Sequence, residues 1–182
     1  MIFSKLLLRL MGWKVSVTVP NIPQCIISVA PHTSNEDFLL CELAIRSVGR
    51  HSGFLMKKSW FFWPLGPIFR AMGGVPVDRS HGAPSLIDAL VHRFQTTSRL
   101  VIAITPEGTR SRNPNWHTGF LRIATEAHVP VMLAVVDFKT KHIFMHEQFY
   151  PTGDIDADMR YIKNYYTPYQ GKYPEKFTTG DE

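Results

Sequence analysis

His32 and Asp37 stand five residues apart, just after an apolar run over residues 25–30 that ends at Pro31. A neutral imidazole is a general base near pH 7. A carboxylate on its other ring nitrogen fixes the tautomer and steadies the cation that forms. On a continuous helix five residues turn about 500°, which puts the two side chains on different faces. Contact between them needs a bend, and the capping types Thr33, Ser34 and Asn35 supply one. A His and an Asp at this spacing are unspecific when taken alone. Glu107-Gly108-Thr109-Arg110 follows a second apolar run, residues 100–104. Its glycine lets backbone N–H groups approach a ligand closely, its threonine adds a hydroxyl, and its arginine offers a fork suited to phosphate. The plainer alternative is a tight turn with a solvated arginine. Arg79, after the short run 75–77, either shares that phosphate or pairs with Asp78 at the surface. Lys57 and Lys58 follow a further apolar run and add positive charge.

The elements needed to bring these clusters together can be read from hydrophobic periodicity and turn residues. Buried-strand runs fall at 25–30, 53–56, 75–77, 100–104, 129–136 and 141–145, and Pro76 marks the third as an edge strand or a bulge. Helical spacing covers 1–12, a stretch from about residue 35 to Gly49, 86–94, 119–128 and a segment within 155–166. Strands alternating with helices imply one α/β domain with helices on both faces. In open sheets of this kind ligands bind at the carboxyl ends of strands, where all of the polar clusters would then lie. Backbone N–H groups at the first of these sites or at Gly108 are candidates to face an oxyanion. The domain is expected to span 15–168, with an amphipathic helix at 1–14 and a loose polar tail at 169–182. The block 60–69 holds two of the four tryptophans and three of the twelve phenylalanines in a Pro- and Gly-broken stretch. It suits core packing or an interfacial contact.

Composition narrows the classes. The chain has 182 residues, 45% hydrophobic and 19% charged, which is enough to bury a core without disulfides or metals. Two cysteines, Cys25 and Cys41, exclude a disulfide framework and a cysteine-based metal site. The Walker pattern, G-x-S-x-G and H-E-x-x-H are absent. Twenty Lys and Arg against fifteen Asp and Glu give a net charge of +5, and the pI is near 9.3. That favours anionic partners, but the basic residues are scattered and match no nucleic-acid motif. No apolar stretch is long enough to span a bilayer, and the start lacks the marks of a signal peptide. The expected location is therefore cytoplasmic. In the first helix Lys5 and Arg9 edge an apolar stripe, which fits either packing on the core or an interfacial contact with membrane.

Four blocks in order, His32-x4-Asp37, Gly74-Val-Pro-Val-Asp78-Arg79, Pro106-Glu-Gly-Thr-Arg110-Ser111 and Val129-Pro130-Val131, resemble those of the glycerolipid acyltransferases, the 1-acylglycerol-3-phosphate acyltransferase-like family. The resemblance implies a glycerol-3-phosphate acyltransferase-like fold with a mixed, mostly parallel central sheet. It implies an enzyme that moves a fatty acyl chain from acyl-CoA or acyl carrier protein to a lysophospholipid hydroxyl, with 1-acylglycerol-3-phosphate the leading acceptor, in phospholipid biosynthesis. His32 would be the base and Asp37 its orienting partner, with no covalent acyl-enzyme. Arg79, Glu107, Gly108, Thr109 and Arg110 would bind the glycerol phosphate, and Pro130 would shape the donor site. No metal or resident cofactor is implied, since the thioester is a co-substrate. The partners would be the two substrates and the inner face of the cell membrane. Asn35 and Glu36 depart from the bulky or apolar residues common at those places. They leave room for a non-phosphate lyso-lipid acceptor, and a catalytically inactive lipid-binding protein is the competing class.

Overall fold

A computed structural model describes residues 1–77 and 85–180, except for the side chain of Lys57. Among these residues the centre is a seven-stranded sheet in the order β1-β7-β6-β2-β5-β3-β4. Its strands are β1 (Lys14–Val17), β2 (Gln24–Ala30), β3 (Gly53–Lys57), β4 (Gly74–Val77), β5 (Leu100–Ile104), β6 (Val131–Asp137) and β7 (His142–Phe149). Strands β2 to β6 run parallel to one another, and β7 pairs antiparallel with β6. The sheet is thus mixed and mostly parallel, as expected. β2 and β6 carry almost nothing but buried apolar side chains, the composition of strands covered on both faces. Pro76 is tolerated because β4 is an edge strand.

Helices cover both faces. On one, α1 (Ile2–Leu10) and α2 (Glu36–Ser47) close over a core that includes Leu8, Ile27, Val29, Leu40, Leu43 and Met132. On the other, α4 (Leu86–Thr96), α5 (Gly119–Ala127) and α6 (Ile155–Tyr166) pack on Ile26, Ile102, Val131 and Leu133. Ser85 and Asp154 cap α4 and α6 by accepting backbone N–H bonds, which satisfies donors left over at a helix start. The alternation along β2 sends Ile26 to one core and Ile27 to the other.

Three features differ from the expectations. β1 forms because its four residues pair in parallel with β7, from Lys14 opposite His142 to Val17 opposite Met145. So short a half-exposed run has no signal of its own until that distant partner is in place. The broken aromatic block contains a helix, α3 (Leu65–Ala71), with Pro67 in its first turn. There the missing N–H would have no intrahelical partner anyway. The segment from Tyr169, expected to be loose, is packed through residue 180. Gly171, Thr178 and Thr179 are buried, and the Trp116 indole N–H donates to the Thr178 carbonyl at 3.0 Å. Its polar residues find partners within the fold, so composition alone misjudged it.

Candidate active site

The parallel register brings the polar clusters to one end of the sheet. Ser28 of β2 lies opposite Ile104 of β5, and Phe54 of β3 lies opposite Ala103. His32, Glu107 and Lys58 therefore follow neighbouring strands at their carboxyl ends. Lys57 stands opposite Val77 of β4, at that same end. Asp78 and Arg79 lie outside the described residues. Pro130 is not brought to this end. It precedes β6, and its carbonyl accepts the Ile26 N–H at the opposite end of β2. It stands at the amino edge of the sheet.

The bend between His32 and Asp37 closes as the capping residues suggest. His32 Nδ1 lies 3.1 Å from Asp37 Oδ2. The same carboxylate oxygen accepts the backbone N–H groups of Thr33 and Ser34, each at 2.8 Å. Asp37 sits at the start of α2, where the helix dipole favours a negative charge. Its side chain is 1% exposed against 14% for His32. The carboxylate is buried and directed at the ring, and the ring edge meets solvent. The Asp37 bond assigns the ring proton to Nδ1 and leaves Nε2 with its lone pair.

A second carboxylate holds the same residue by its main chain. Glu107 Oε1 accepts the His32 N–H at 2.8 Å. Glu107 is buried, its Oε2 has no partner among the described residues, and burial pushes its carboxyl up to about 8. It lies behind His32 and does not project to the surface. The turn after it is tight. Gly108 has φ +67° and its N–H donates to the Thr105 carbonyl at 3.1 Å. A Cβ on Gly108 would stand 2.3 Å from His117 Cδ2. Asn113 donates to the Glu107 carbonyl at 2.8 Å and braces the loop. Thr109 and Arg110 are exposed, so the arginine fork is presented to solvent above the buried glutamate. The amides of Thr33, Ser34 and Gly108 are all committed to internal bonds, and none of the three is open to an oxyanion. Sequence pattern located His32, Asp37 and Glu107, and it missed that Glu107 faces the His32 backbone. An adjacent-strand partner 75 residues away leaves no local trace.

A cleft between α2 and the sheet is lined by Val15, Val29, Cys41, Ala44, Ala103 and Ala134. Burial, with Asp37 and Glu42 nearby, pushes the Cys41 thiol up to about 12, and burial pushes Cys25 up to about 11. Both thiols stay protonated near neutral pH and are poor nucleophiles.

The site is thus a His–Asp pair at the carboxyl ends of the central strands of an α/β domain. The acyltransferase family model matches residues 14–136, about two thirds of the chain, and the chain belongs to that family of acyl-transferring enzymes. A comparison with curated proteins found no match.

Proposed function

We propose that the protein moves a fatty acyl chain from acyl-CoA or acyl carrier protein to a hydroxyl of a lysophospholipid, with 1-acylglycerol-3-phosphate the leading acceptor. The observation that carries this reading is the His32 Nδ1–Asp37 Oδ2 bond with its carboxylate buried and the ring edge open. His32 Nε2 takes the acceptor's hydroxyl proton as the oxygen attacks the thioester carbonyl. Asp37 steadies the imidazolium. Collapse of the tetrahedral intermediate breaks the C–S bond, and the departing thiolate takes the proton from His32. Ester and thiol are the products, and no enzyme nucleophile is used. Arg110, with Arg79 after β4, holds the acceptor's phosphate. Lys57 and Lys58 add positive charge at the same strand ends.

The acceptor and the acyl chain reach the site from a membrane surface. No described helix is long and apolar enough to cross a membrane. α1 instead buries only Ser4 and Leu8 and leaves Ile2, Phe3, Leu6 and Leu10 exposed, as are Trp60, Phe62 and Trp63. In this reading the exposed stripe of α1 lies on the inner leaflet of the cell membrane.

The test is thiol release from palmitoyl-CoA and from palmitoyl acyl carrier protein, with and without 1-acylglycerol-3-phosphate, beside His32→Ala. Acceptor-dependent release that vanishes in the variant is expected. Release that needs no acceptor, or that survives in His32→Ala, overturns the reading.

A further inference from the structure

The segment after α6 crosses the carboxyl end of the sheet and touches the loop that holds His32 and Asp37. It is fastened first to β6. Phe138 N–H donates to the Gln170 carbonyl at 2.9 Å, and Gln170 N–H donates to Asp137 Oδ1 at 3.2 Å. Its next three residues meet the His32–Asp37 loop. Gly171 is packed so closely that a Cβ there would lie 2.6 Å from Thr33 Oγ1, 2.7 Å from Thr33 Cγ2 and 3.2 Å from Pro31 Cβ. The Lys172 ammonium pairs with the Glu36 carboxylate. Tyr173 N–H donates to Thr33 Oγ1 at 3.2 Å. The segment is fastened again further on, where Trp116 donates to Thr178 and Thr167 bonds Thr179. Thr33 is thereby gripped from two sides. Its hydroxyl takes the Tyr173 N–H, and its own N–H goes to Asp37 Oδ2, the oxygen that orients His32.

We propose that residues 170–173 form a strap that positions the His32–Asp37 pair, with Gly171 required for its close seat on Thr33 and Lys172 holding Glu36 at the start of α2. The strap lies outside residues 14–136, the part that matches the family. It therefore brings to this chain's base a support that the shared blocks do not contain. The rate consequences rest on the acyl-transfer reading above, but the mechanical claim does not. Glu36, one of the two departures from the family pattern between His32 and Asp37, has its partner in the strap. The departure and the strap form one device. Gly171, Lys172 and Tyr173 are positioning residues, acting through Thr33 and Glu36 and not on the substrate.

The experiment compares the full chain with Gly171→Ala, Lys172→Met, Thr33→Ala and the double variant Thr33→Ala/Gly171→Ala. The first readout is peptide-level amide hydrogen exchange, which requires no activity. The strap predicts faster exchange over residues 31–38 in Gly171→Ala and Lys172→Met, with exchange over β6 unchanged. The second readout is steady-state acyl transfer to 1-acylglycerol-3-phosphate. Displacement of the base by a fraction of an ångström is expected to lower kcat about tenfold in Gly171→Ala, with acceptor KM moved less than about twofold. Thr33→Ala removes both atoms that a Cβ at 171 would strike, so the double variant recovers rate relative to Gly171→Ala alone. Unchanged exchange over 31–38 in both strap variants overturns the proposal whatever the activity shows. So does a loss of rate that the double variant deepens additively, or one that accompanies faster exchange throughout the fold. A wild-type protein without acyl transfer removes the proposed function and leaves the exchange result to decide the strap.

Discussion

Glu107 Oε1 accepts the backbone N–H of His32 at 2.8 Å, tying the loop after β5 to the loop after β2. Asp37 fixes the imidazole ring, and Glu107 fixes the main chain that carries it. In the proposed transfer, a base whose ring and backbone are both held loses little orientation as it accepts a proton, which is where preorganised sites gain rate.

Glu107 also makes the fold's stability pH-dependent. Its carboxyl titrates near 4.5 in the unfolded chain and at about 8 when buried. Between those values the native state holds the extra proton, so this stabilising contribution is complete below about pH 4.5 and is lost as pH rises through about 8. Thermal melts from pH 5 to 9 are expected to show a declining midpoint that flattens in Glu107→Gln. The amide keeps an acceptor for the His32 N–H and cannot ionise, so Glu107→Gln retains most activity. Glu107→Ala leaves that buried N–H unpaired, at a cost of about 1–3 kcal/mol, and loses activity. Equal pH profiles for wild type and Glu107→Gln would remove the assignment.

Asp37→Asn separates orientation from charge. The amide nitrogen cannot accept the Nδ1 proton, so the ring is driven toward the wrong tautomer, and the buried N–H groups of Thr33 and Ser34 compete for the one remaining oxygen. In a hydrolytic triad the same replacement costs about 10⁴ in kcat. A fall of about 10³-fold or more in kcat, with a folded protein by circular dichroism, is expected here. A rate within tenfold of wild type would show that His32 works without its partner.

The fold was legible because its central strands are continuous apolar runs ending in polar clusters. β2 and β5 carry that signal from Cys25 to Ala30 and from Leu100 to Ile104, and each is followed by residues that read as chemistry. β1 was illegible because its partner β7 lies across the whole domain. The strap was illegible because Gly171 and Tyr173 look like turn and tail residues until Thr33 is placed beside them. Pro130 was given a functional role by resemblance, and the register of β6 on β2 places it away from His32. What sequence pattern cannot supply is which face and which end of a strand a distant residue will reach.

Arg110 is exposed beside buried Glu107, which suits an anion carried in by the substrate. A charge-assisted hydrogen bond is worth about 1.5–3 kcal/mol, so Arg110→Ala is expected to raise KM for 1-acylglycerol-3-phosphate by roughly tenfold to a hundredfold. With an uncharged monoacylglycerol acceptor the same variant should change KM little. Equal effects on both acceptors would show that the arginine shapes the loop and does not read the phosphate.

The exposed stripe of α1 predicts how the protein finds its substrates. At 100° per residue Ile2, Leu6, Leu10 and Phe3 fall within an arc of about 100°, with Lys5 and Arg9 on its flank and Ser4 and Leu8 turned toward α2. An apolar stripe bordered by basic residues lies in the interface of an anionic bilayer, its affinity set by buried apolar area and by attraction to the headgroups. Leu6→Asp/Leu10→Asp removes the first contribution, and Lys5→Glu/Arg9→Glu removes the second. Co-sedimentation with vesicles of anionic phospholipid is expected to fall at least tenfold for the apolar pair at any salt. For the basic pair it should fall chiefly at low salt, where unscreened charge matters most. Because Ser4 and Leu8 are untouched, both variants keep the wild-type melting point and turn over detergent-solubilised acceptor at the wild-type rate. Vesicle binding unaltered in both would place the membrane contact elsewhere, with the tryptophans at 60 and 63 the next face to change.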